Sequence, residues 1–515
     1  MTDLLQELAR RRAVAEAHGG EAKVARQRRA GKQVARERVA MLMDAGSFTE
    51  IGGLATHAPT RVTPVKDKVT PADGVVTGFG RIDGRIAGVV AEDFTVLGGS
   101  LGLVNFEKKN RMIELALRDR VPLVWLFDGA GARTDEYIGE GLAPMHHFMN
   151  VARLSGTAPT IAAVLGPTAG DSSLLASMME FIVMVKGEGM LAAGGPPLVA
   201  MGTGERVSKE ELGGWEVHCR ISGVADNAAE DEADAIRQLK RYLSFMPANA
   251  WAWPPQVEPS PAPDGAPETL RSLIPANRRR PYDMKKAVAA IFDRDSFFEL
   301  KPEHARMMIT GFARLDGRAV AVAANQPKVM AGAITAAAGH KLRRFIDLAA
   351  AYHLPVVFLT DTPGVMTGPK SEREGALRVG MAVASSFAFA DTPLVTVVLH
   401  KAFGYGAAAM GGYGAEQSAV LAWPTADFNA IPLESGIRAA YKAEIEAAED
   451  PDGFYDRLVR EYGRLCGAWP AAEAMKIDDV IDPAETRSRL IEALDRAEMR
   501  RTEAPGPTLR HGVMP

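Results

Sequence analysis

A short segment of this 515-residue chain occurs twice, and the repeat constrains the fold more than any other feature. Residues 77–85 read TGFGRIDGR and residues 310–318 read TGFARLDGR, with seven of nine positions identical at a spacing of 233 (310 − 77). Further pairs at this spacing are Asp83 and Asp316, Gly84 and Gly317, Lys108 and Lys341, Asp128 and Asp361, and Gly131 and Gly364. One residue is then inserted, so that Gly170 pairs with Gly404. A register kept over such a length predicts two copies of one domain.

Each copy predicts the same series of strands and helices. An Asp-Gly pair suits the tight turn of a β-hairpin, and an apolar strand and a glycine loop follow it. An amphipathic helix comes next, indicated in the second copy by apolar residues at helical spacing, which are Leu342, Phe345, Ile346 and Ala349. The segments VPLVWLFD and LPVVFLTD are apolar almost throughout, which is typical of parallel strands covered on both faces. The alternation predicts an α/β fold with parallel sheets and right-handed crossovers.

A proline-rich stretch separates the two copies. Residues 251–268 hold six prolines, which disfavour regular structure and make a stiff, extended connection. We therefore predict an N-terminal domain over residues 1–255, a linker over 256–268 and a C-terminal domain over 269–515. The basic first forty residues predict solvated helices that pack on a partner subunit rather than a nucleic-acid-binding arm.

Composition narrows the class of protein. A formal net charge of −4 gives no general attraction to nucleic acid or to anionic lipid. No stretch reaches the roughly 18 apolar residues of a membrane span, and the start MTDLLQELARRR does not resemble a signal peptide. The two cysteines, Cys219 and Cys466, exclude a disulfide framework and a cysteine-built zinc site. We expect a cytoplasmic protein with neither nucleic acid nor membrane as a partner.

The candidate chemistry lies where a strand turns into a helix. No nucleophile, metal or phosphate-loop motif is present, and the adjacent His146 and His147 point about 100° apart on a helix, so we expect structural roles for both. The segments VLGPTAGDSSLLASMMEF and VLHKAFGYGAAAMGG both place small residues at such a turn, which leaves backbone N–H groups bare. Two such turns in a duplicated fold predict two oxyanion pockets, one for a thioester enolate and one for a second carbonyl.

These features resemble a known family over nearly the whole chain. The matching motifs are GGSLG (98–102), SKEELGG (208–214), SGVAD (222–226), NQPKV (325–329), DTPG (361–364) and AWPTA (422–426). With them the chain resembles, as a divergent member, the carboxyltransferase (β) subunits of biotin-dependent acyl-CoA carboxylases such as the propionyl-CoA and methylcrotonyl-CoA enzymes. The resemblance implies two duplicated crotonase-like (ClpP/crotonase) domains of ββα superhelix type.

The resemblance also implies an activity and its partners. The N-terminal domain would bind an acyl-CoA thioester and the C-terminal domain of a neighbouring subunit would bind carboxybiotin, in a homo-oligomer that is a hexamer. Carbon dioxide would pass from carboxybiotin to the α-carbon, or a vinylogous carbon, of the acyl-CoA through an enolate. Biotin would arrive on a biotin carboxyl carrier protein loaded by a biotin carboxylase (the α subunit), and no metal is expected in this chain. The segment EAMKI resembles a biotin-attachment motif, but we expect Lys476 to stay unmodified because it precedes the family's C-terminal IDDVIDP.

Site residues follow from the motifs by position. The implied catalytic backbone amides are those of Gly170, Asp171, Tyr405 and Gly406. The implied CoA-binding residues are Gly98, Gly99, Gly131, Ala132 and Arg133. The implied biotin-binding residues are Pro363, Gly364, Val365 and Gly404. The Arg133 guanidinium fits either a CoA phosphate or an internal ion pair.

Three positions depart from the family and leave alternatives open. Asp171 and Tyr405 stand where the family has glycine, and Ala408 where propionyl-type enzymes tend to have Asp. A carboxylate beside a forming enolate is repulsive unless it is turned away or protonated. One alternative is therefore a biotin-independent crotonase-like acyl-CoA decarboxylase, hydrolase or lyase that uses Asp171 as acid or base. Another is a non-catalytic scaffold subunit in which Tyr405 plugs the biotin pocket.

Overall fold

The two copies of the repeat fold as two units that have the same sheet. The computed structural model describes residues 1–58, 68–137, 145–277, 280–412, 417–499, 501, 505–509 and 512–515. One unit comprises Met1–Ala252 with Leu509–Pro515, and the other comprises Trp253–Thr508. The proline-rich segment therefore belongs to the second unit, where the Val257 N–H donates to the Gly317 carbonyl. Among the described residues no helix is both long and apolar enough to cross a membrane.

The first unit contains strands β1 to β8 and helices α1 to α10. The strands are β1 Thr49–Ile51, β2 Val75–Ile82, β3 Arg85–Glu92, β4 Leu123–Gly129, β5 Thr160–Ala169, β6 Phe181–Val185, β7 Met190–Ala192 and β8 Asn227–Ala229. The helices are α1 Thr2–Glu16, α2 Glu21–Arg29, α3 Ala35–Leu42, α4 Leu103–Asp119, α5 Thr134–Tyr137, α6 His146–Leu154, α7 Asp171–Ser177, α8 Pro196–Gly202, α9 Lys209–Gly213 and α10 Glu232–Phe245.

The second unit contains strands β9 to β16 and helices α11 to α21. The strands are β9 Phe298–Leu300, β10 Met308–Leu315, β11 Arg318–Asn325, β12 Val356–Thr362, β13 Leu394–Phe403, β14 Gln417–Ala422, β15 Asp427–Asn429 and β16 Asp479–Val480. The helices are α11 Ala266–Arg271, α12 Met284–Ile291, α13 Ala336–Ala351, α14 Pro369–Arg373, α15 Ala376–Phe389, α16 Gly404–Ala409, α17 Leu433–Ala440, α18 Lys442–Ala447, α19 Pro451–Gly463, α20 Ala468–Glu473 and α21 Thr486–Glu498.

The two sheets have the same strand order and the same register. The first runs β1-β2-β3-β4-β5-β6-β8 with β7 beside β5, and the second runs β9-β10-β11-β12-β13-β14-β16 with β15 beside β13. The β1–β2–β3 and β9–β10–β11 pairs are antiparallel and the other pairs are parallel. Leu123 pairs with Thr160 where Val356 pairs with Leu394, so the one-residue insertion falls between equivalent strands. The predicted α/β duplication is confirmed.

The repeated hairpin is the antiparallel arm of each sheet. Asp83 and Gly84 have φ values of 48° and 79°, and Asp316 and Gly317 have 54° and 76°. Two successive residues with positive φ give the turn that matches the twist of paired strands, and glycine adopts such angles at little cost. The hairpins thus form the antiparallel side of each sheet together with the edge strands β1 and β9.

The strands that lead to the candidate site are covered on both faces. All residues of β4 and of β12 are buried, as their apolar sequences predict. The predicted amphipathic helix is α13, whose Leu342, Phe345, Ile346 and Ala349 are all buried. Strand β5 pairs with two strands along its length on one side: Ile161–Val164 pair with β6, and Pro167–Ala169 pair with β7. This division opens the carboxyl end of β5, where the next helix begins.

A buried lysine recurs at the same place in each unit. The Lys108 ammonium donates to the carbonyls of Ala72 (2.7 Å) and Val75 (2.5 Å). The Lys341 ammonium donates to the carbonyls of Lys301 (2.8 Å) and Met308 (2.6 Å). Each lysine therefore binds main-chain carbonyls near the start of the hairpin. Burial lowers the pKa of Lys108 from 10.5 to about 8.

This lowered pKa predicts how the stability of the protein changes with pH. Between pH 8 and 10.5 the unfolded chain holds a proton at residue 108 that the folded chain has lost, so stability rises with pH. We expect the free energy of unfolding of the wild type, relative to Lys108→Met, to rise by roughly 3 kcal/mol across this range. Urea unfolding at a series of pH values measures the difference. The exposed Lys23 provides the control, since Lys23→Met should show no such trend. A Lys108→Met difference that stays constant with pH would contradict the prediction.

Candidate active site

The corner between β5 and α7 presents two free backbone amides. Gly170 has φ 65° and ψ −133°, and its N–H donates to the Ala192 carbonyl (3.1 Å), which continues the pairing of β5 with β7. The next two residues, Asp171 and Ser172, form the start of α7, and within the described part of the chain their N–H groups have no acceptor. Gly170 thus forms the corner, while the two amides after it are available to a ligand oxygen.

The corner between β13 and α16 repeats this geometry. Gly404 has φ 54°, and Tyr405 and Gly406 follow it in the first turn of the helix. At the spacing of 234 these two residues are equivalent to Asp171 and Ser172. The amides implied by the family resemblance are those of Gly170 and Asp171 at the first corner and of Tyr405 and Gly406 at the second, and at this spacing the two sets are not equivalent positions. The repeat spacing already contained the signal that points to Ser172.

The predicted CoA-binding residues lie together beside the first corner. Gly98 accepts from the Ala130 N–H (2.9 Å), and a Cβ on Gly99 would lie 2.4 Å from the Asp128 carbonyl oxygen. Ala132 forms a parallel bridge with Leu101, and a Cβ on Gly131 would lie 3.5 Å from the Ala169 carbonyl oxygen. The turn Leu97–Gly99 and the residues after it are therefore packed on the end of β4 and the loop that follows β4, and this loop reaches the end of β5 through Gly131.

The predicted biotin-binding residues lie beside the second corner in the same way. Val365 forms a parallel bridge with Ile334, and Pro363 directly follows β12. A Cβ on Gly364 would lie 3.4 Å from the Phe403 carbonyl oxygen, and a Cβ on Gly406 would lie 2.5 Å from the Gly364 Cα. The corner and the loop after β12 thus touch through bare backbone, with no space for a side chain at Gly406.

The Arg133 side chain forms an internal ion pair. It is buried, and its Nη1 contacts Asp73 Oδ1 (2.7 Å) and Glu136 Oε1 (3.0 Å). The guanidinium also donates to Ser100 Oγ (3.1 Å) and to the Asp73 carbonyl (3.1 Å). Of the two alternatives left open by the sequence, the structure therefore favours the ion pair over a phosphate of CoA.

Other cations line a cleft near the end of β5. The cleft has a volume of about 330 Å³, and its lining includes Arg26, Lys32 and Lys209 together with Phe94 and Pro167. Lys32 is held by Asp128 Oδ2 at 2.9 Å. Arg26 and Lys32 belong to the basic first forty residues, for which the sequence predicted solvated helices, while Lys209 comes from a distant segment of the chain.

A buried ionic cluster supports the first turn of α7. Lys109 Nζ lies 2.6 Å from Glu92 Oε1, and Ser172 Oγ donates to the same oxygen at 2.8 Å. The other oxygen of Glu92 accepts from the Asp128 N–H (2.9 Å). At the equivalent places the second unit has Asn325, Leu342 and Gly406. The first turn of the helix at the first corner therefore contacts an ion pair, whereas the equivalent residues of the second unit are neutral.

The Asp171 side chain is hydrogen-bonded to His147 on α6. His147 Nε2 lies 2.9 Å from Asp171 Oδ1, and the imidazole is almost entirely buried while the carboxylate is about one quarter exposed. The imidazole is packed between Phe106 (ring centroids 4.9 Å apart) and Phe148 (3.9 Å). Burial and then the charge of Asp171 raise the pKa of the Tyr137 phenol. The sequence predicted a structural role for His147 and gave no sign of its contact with Asp171, 24 residues away.

The Tyr405 side chain lies against α15. Its hydroxyl donates to the Gly380 carbonyl at 2.6 Å, and a Cβ on Gly380 would lie 3.2 Å from the Tyr405 ring. Burial raises the pKa of this phenol. The ring is thus fixed on the helix that precedes β13, which gives no support to a scaffold role in which Tyr405 plugs the pocket.

The contact between Gly406 and Gly364 predicts a large effect of a single methyl group. In Gly406→Ala the new Cβ would overlap backbone atoms, so the loop after β12 must move. We expect a loss of about 1–3 kcal/mol in the free energy of unfolding. Gly467→Ala is the matched control in the same unit, because its Cβ would meet no atom within 4 Å, and it should be close to neutral. Urea unfolding of both variants checks this, and equal stability of the two would contradict the proximity of the loops.

Comparison with known proteins places the chain in a family. Residues 26–513 match the Carboxyl transferase domain. The chain is 36% identical to the carboxyltransferase subunit of propionyl-CoA carboxylase of Haloferax mediterranei, covering 100% of this chain and 99% of that protein. It is 37% identical to the α subunit of methylmalonyl-CoA decarboxylase of Veillonella parvula, covering 97% and 96%.

A solved structure has the same fold over its full length. The chain superposes on the crystal structure of transcarboxylase 12S, a hexamer with methylmalonyl-coenzyme A bound, with a TM-score of 0.92 and 35% identity over 100% of this chain and 98% of that one. The α/β units described above accordingly have the crotonase-like fold. With its matching sequence, fold and duplicated corners, the chain belongs to the carboxyl transferase family and is an acyl-CoA carboxyltransferase subunit.

Proposed function

We propose that this chain is the carboxyltransferase component of a biotin-dependent acyl-CoA carboxylase. The observation that carries the proposal is the equivalence of the two corners, each of which has two amides without an acceptor among the described residues, after a glycine with positive φ. Two preorganised donor pairs suit a reaction in which two carbonyl-type oxygens gain negative charge. The proposed transfer is of CO₂ to the α-carbon of an acyl-CoA, or to a vinylogous carbon.

The first corner would stabilise the thioester oxygen. The Asp171 and Ser172 amides would donate to it as the enolate forms, and the helix start adds a favourable dipole. Glu92, which is paired with Lys109, accepts a hydrogen bond from the Ser172 hydroxyl and so restrains the first turn of α7. Gly170, first predicted as a donor, would keep the backbone at the angle that exposes these two amides.

The second corner would hold the biotin ureido oxygen. Within the described part of the chain the Tyr405 and Gly406 amides have no acceptor, and the loop after β12 is packed on this corner through the backbone of Gly364 and Gly406. This donor set fits biotin, with Pro363, Val365 and Gly404 framing the site. Carboxybiotin, when bound, supplies the CO₂ and a basic ureido nitrogen, which accounts for a mechanism without a protein base. Lys476 lies in the turn after α20 rather than at a hairpin tip, which supports delivery of biotin by a carrier protein.

CoA binding and oligomeric assembly are also part of the proposed function. The loop of Gly98, Gly99, Gly131 and Ala132 would receive the pantetheine arm, while the cleft of Arg26, Lys32 and Lys209 offers cations for the CoA phosphates. We propose a homo-hexamer by similarity to transcarboxylase 12S, and we propose a cytoplasmic location. A biotin carboxylase and a biotin carboxyl carrier protein would be its partners.

A second candidate function rests on the hydrogen bond between Asp171 and His147. Such a pair at the first corner also suits proton transfer in a biotin-independent acyl-CoA decarboxylase, hydrolase or lyase. Turnover of a CoA thioester without biotin, abolished in Asp171→Asn, would establish this candidate. Biotin-dependent transfer that persists in Asp171→Asn would exclude it.

The free amide of Asp171 predicts a difference between two substitutions at one position. Proline is tolerated at the first residue of a helix but has no N–H, whereas alanine keeps the N–H, and both remove the carboxylate. We expect Asp171→Pro to have a kcat about 10²-fold below that of Asp171→Ala. The assay is decarboxylation of malonyl-type CoA thioesters in the presence of free biotin.

Circular dichroism melts control for folding, and the Asp171→Ala variant controls for the lost carboxylate. Equal kcat values in two well-folded variants would show that this amide does not stabilise the transition state.

A further inference from the structure

In each unit the residue after the corner glycine has its side chain bound to the helix that leads into the corner strand. In the first unit Asp171 is bound to His147 on α6, and in the second Tyr405 is bound to Gly380 on α15. Helices α6 and α15 are equivalent, since each connects the two central parallel strands of its sheet. A different hydrogen bond thus fixes the side chain at this equivalent position in each unit. In both, the side chain is held while the amides of the first turn stay free.

The consequence differs between the units because only one of these side chains is acidic. A carboxylate at the first residue of a helix is attracted by the N–H groups of that first turn. Unrestrained, the Asp171 carboxylate would compete with a ligand oxygen for those amides and would repel an anionic oxygen there. Within the described part of the chain, His147 is the one hydrogen-bond partner of the Asp171 side chain.

The surroundings of His147 suit it for restraint. An ionised carboxylate can only accept, so the Nε2 atom donates to Asp171. The other nitrogen, Nδ1, is buried and has no partner among the described residues. The ring is fixed between Phe106 and Phe148. The imidazole therefore has a single polar contact, and that contact is with Asp171.

We propose that His147 is a positioning residue that holds the Asp171 carboxylate away from the Asp171 and Ser172 amides, so that the first corner can stabilise an anionic oxygen. The inference rests on the proposed function for the location of that oxygen, and it adds a residue outside the motif that the family resemblance supplied. Asp171 and His147 then form one functional pair: the carboxylate is tolerated at this corner only while the imidazole is present.

The test is a double-mutant cycle on binding by the full chain. The probes are the 2-nitroethyl thioether of CoA in its nitronate form, which mimics the enolate charge, and the neutral S-ethyl-CoA. Calorimetry gives the preference for the anionic probe as the ratio of the two Kd values. We expect His147→Leu to lower this preference about 10- to 100-fold. Asp171→Asn should retain it, and His147→Leu/Asp171→Asn should match Asp171→Asn within about twofold.

Three controls separate positioning from structural damage. His146→Leu changes the exposed neighbour on the same helix and should leave the preference unchanged. His147→Gln keeps a donor and should retain most of the preference, whereas His147→Met provides a second apolar variant if His147→Leu does not fold. Thermal melts report folding for all variants.

The proposal is overturned if a folded apolar variant at position 147 keeps the wild-type preference. It is equally overturned if the double variant is as poor as His147→Leu, because the loss then does not depend on the carboxylate. Binding needs neither biotin nor turnover. A wild type without biotin-dependent transfer would therefore contradict the proposed function while the cycle still decides the role of His147.

Discussion

The structure depends on one backbone constraint, the positive φ of the glycine at the end of the fifth strand of each sheet. Gly170 and Gly404 turn the chain from a buried strand into a helix, and that turn leaves the next two amides without an intrahelical partner. Everything around the corners serves to keep these amides exposed and fixed. The loops after β4 and β12 are packed on the strand ends through Gly131 and Gly364, and no side chain at these glycines intrudes.

Duplication gives the protein two such corners, and the groups that support them differ. The first rests on the Glu92–Lys109 pair and has an acidic residue tied by an imidazole. The second rests on neutral groups and has an aromatic residue tied by a carbonyl. Equivalent buried aspartates lie beneath both loops, Asp128 paired with Lys32 and Arg38, and Asp361 beside Lys401. Burial opposes ionisation of Asp361, but His400 and Lys401 outweigh it and lower its pKa.

Much of this organisation could be predicted from the sequence because it repeats. The Asp-Gly hairpins, the buried strands and the glycine corners are local patterns, and the 233-residue register aligned them between the units. The contacts of side chains could not be predicted in the same way. Arg133 could serve either a ligand or an ion pair until Asp73 and Glu136 were seen around it. The contact of His147 with Asp171 joins a helix and a corner that only the fold brings together. The hydrogen bond of the Ser172 hydroxyl likewise depends on Glu92, 80 residues earlier in the chain.

Each corner is proposed to serve its own substrate, and the second corner offers the most direct test. The measurement is carboxyl transfer between a CoA thioester and free biotin in Tyr405→Pro beside Tyr405→Ala, with the Kd of the thioester measured in both. We expect that proline, which lacks the N–H, lowers transfer far below the alanine variant while thioester binding stays the same. Equal transfer in the two variants, or a loss of thioester binding in the proline variant alone, would contradict it.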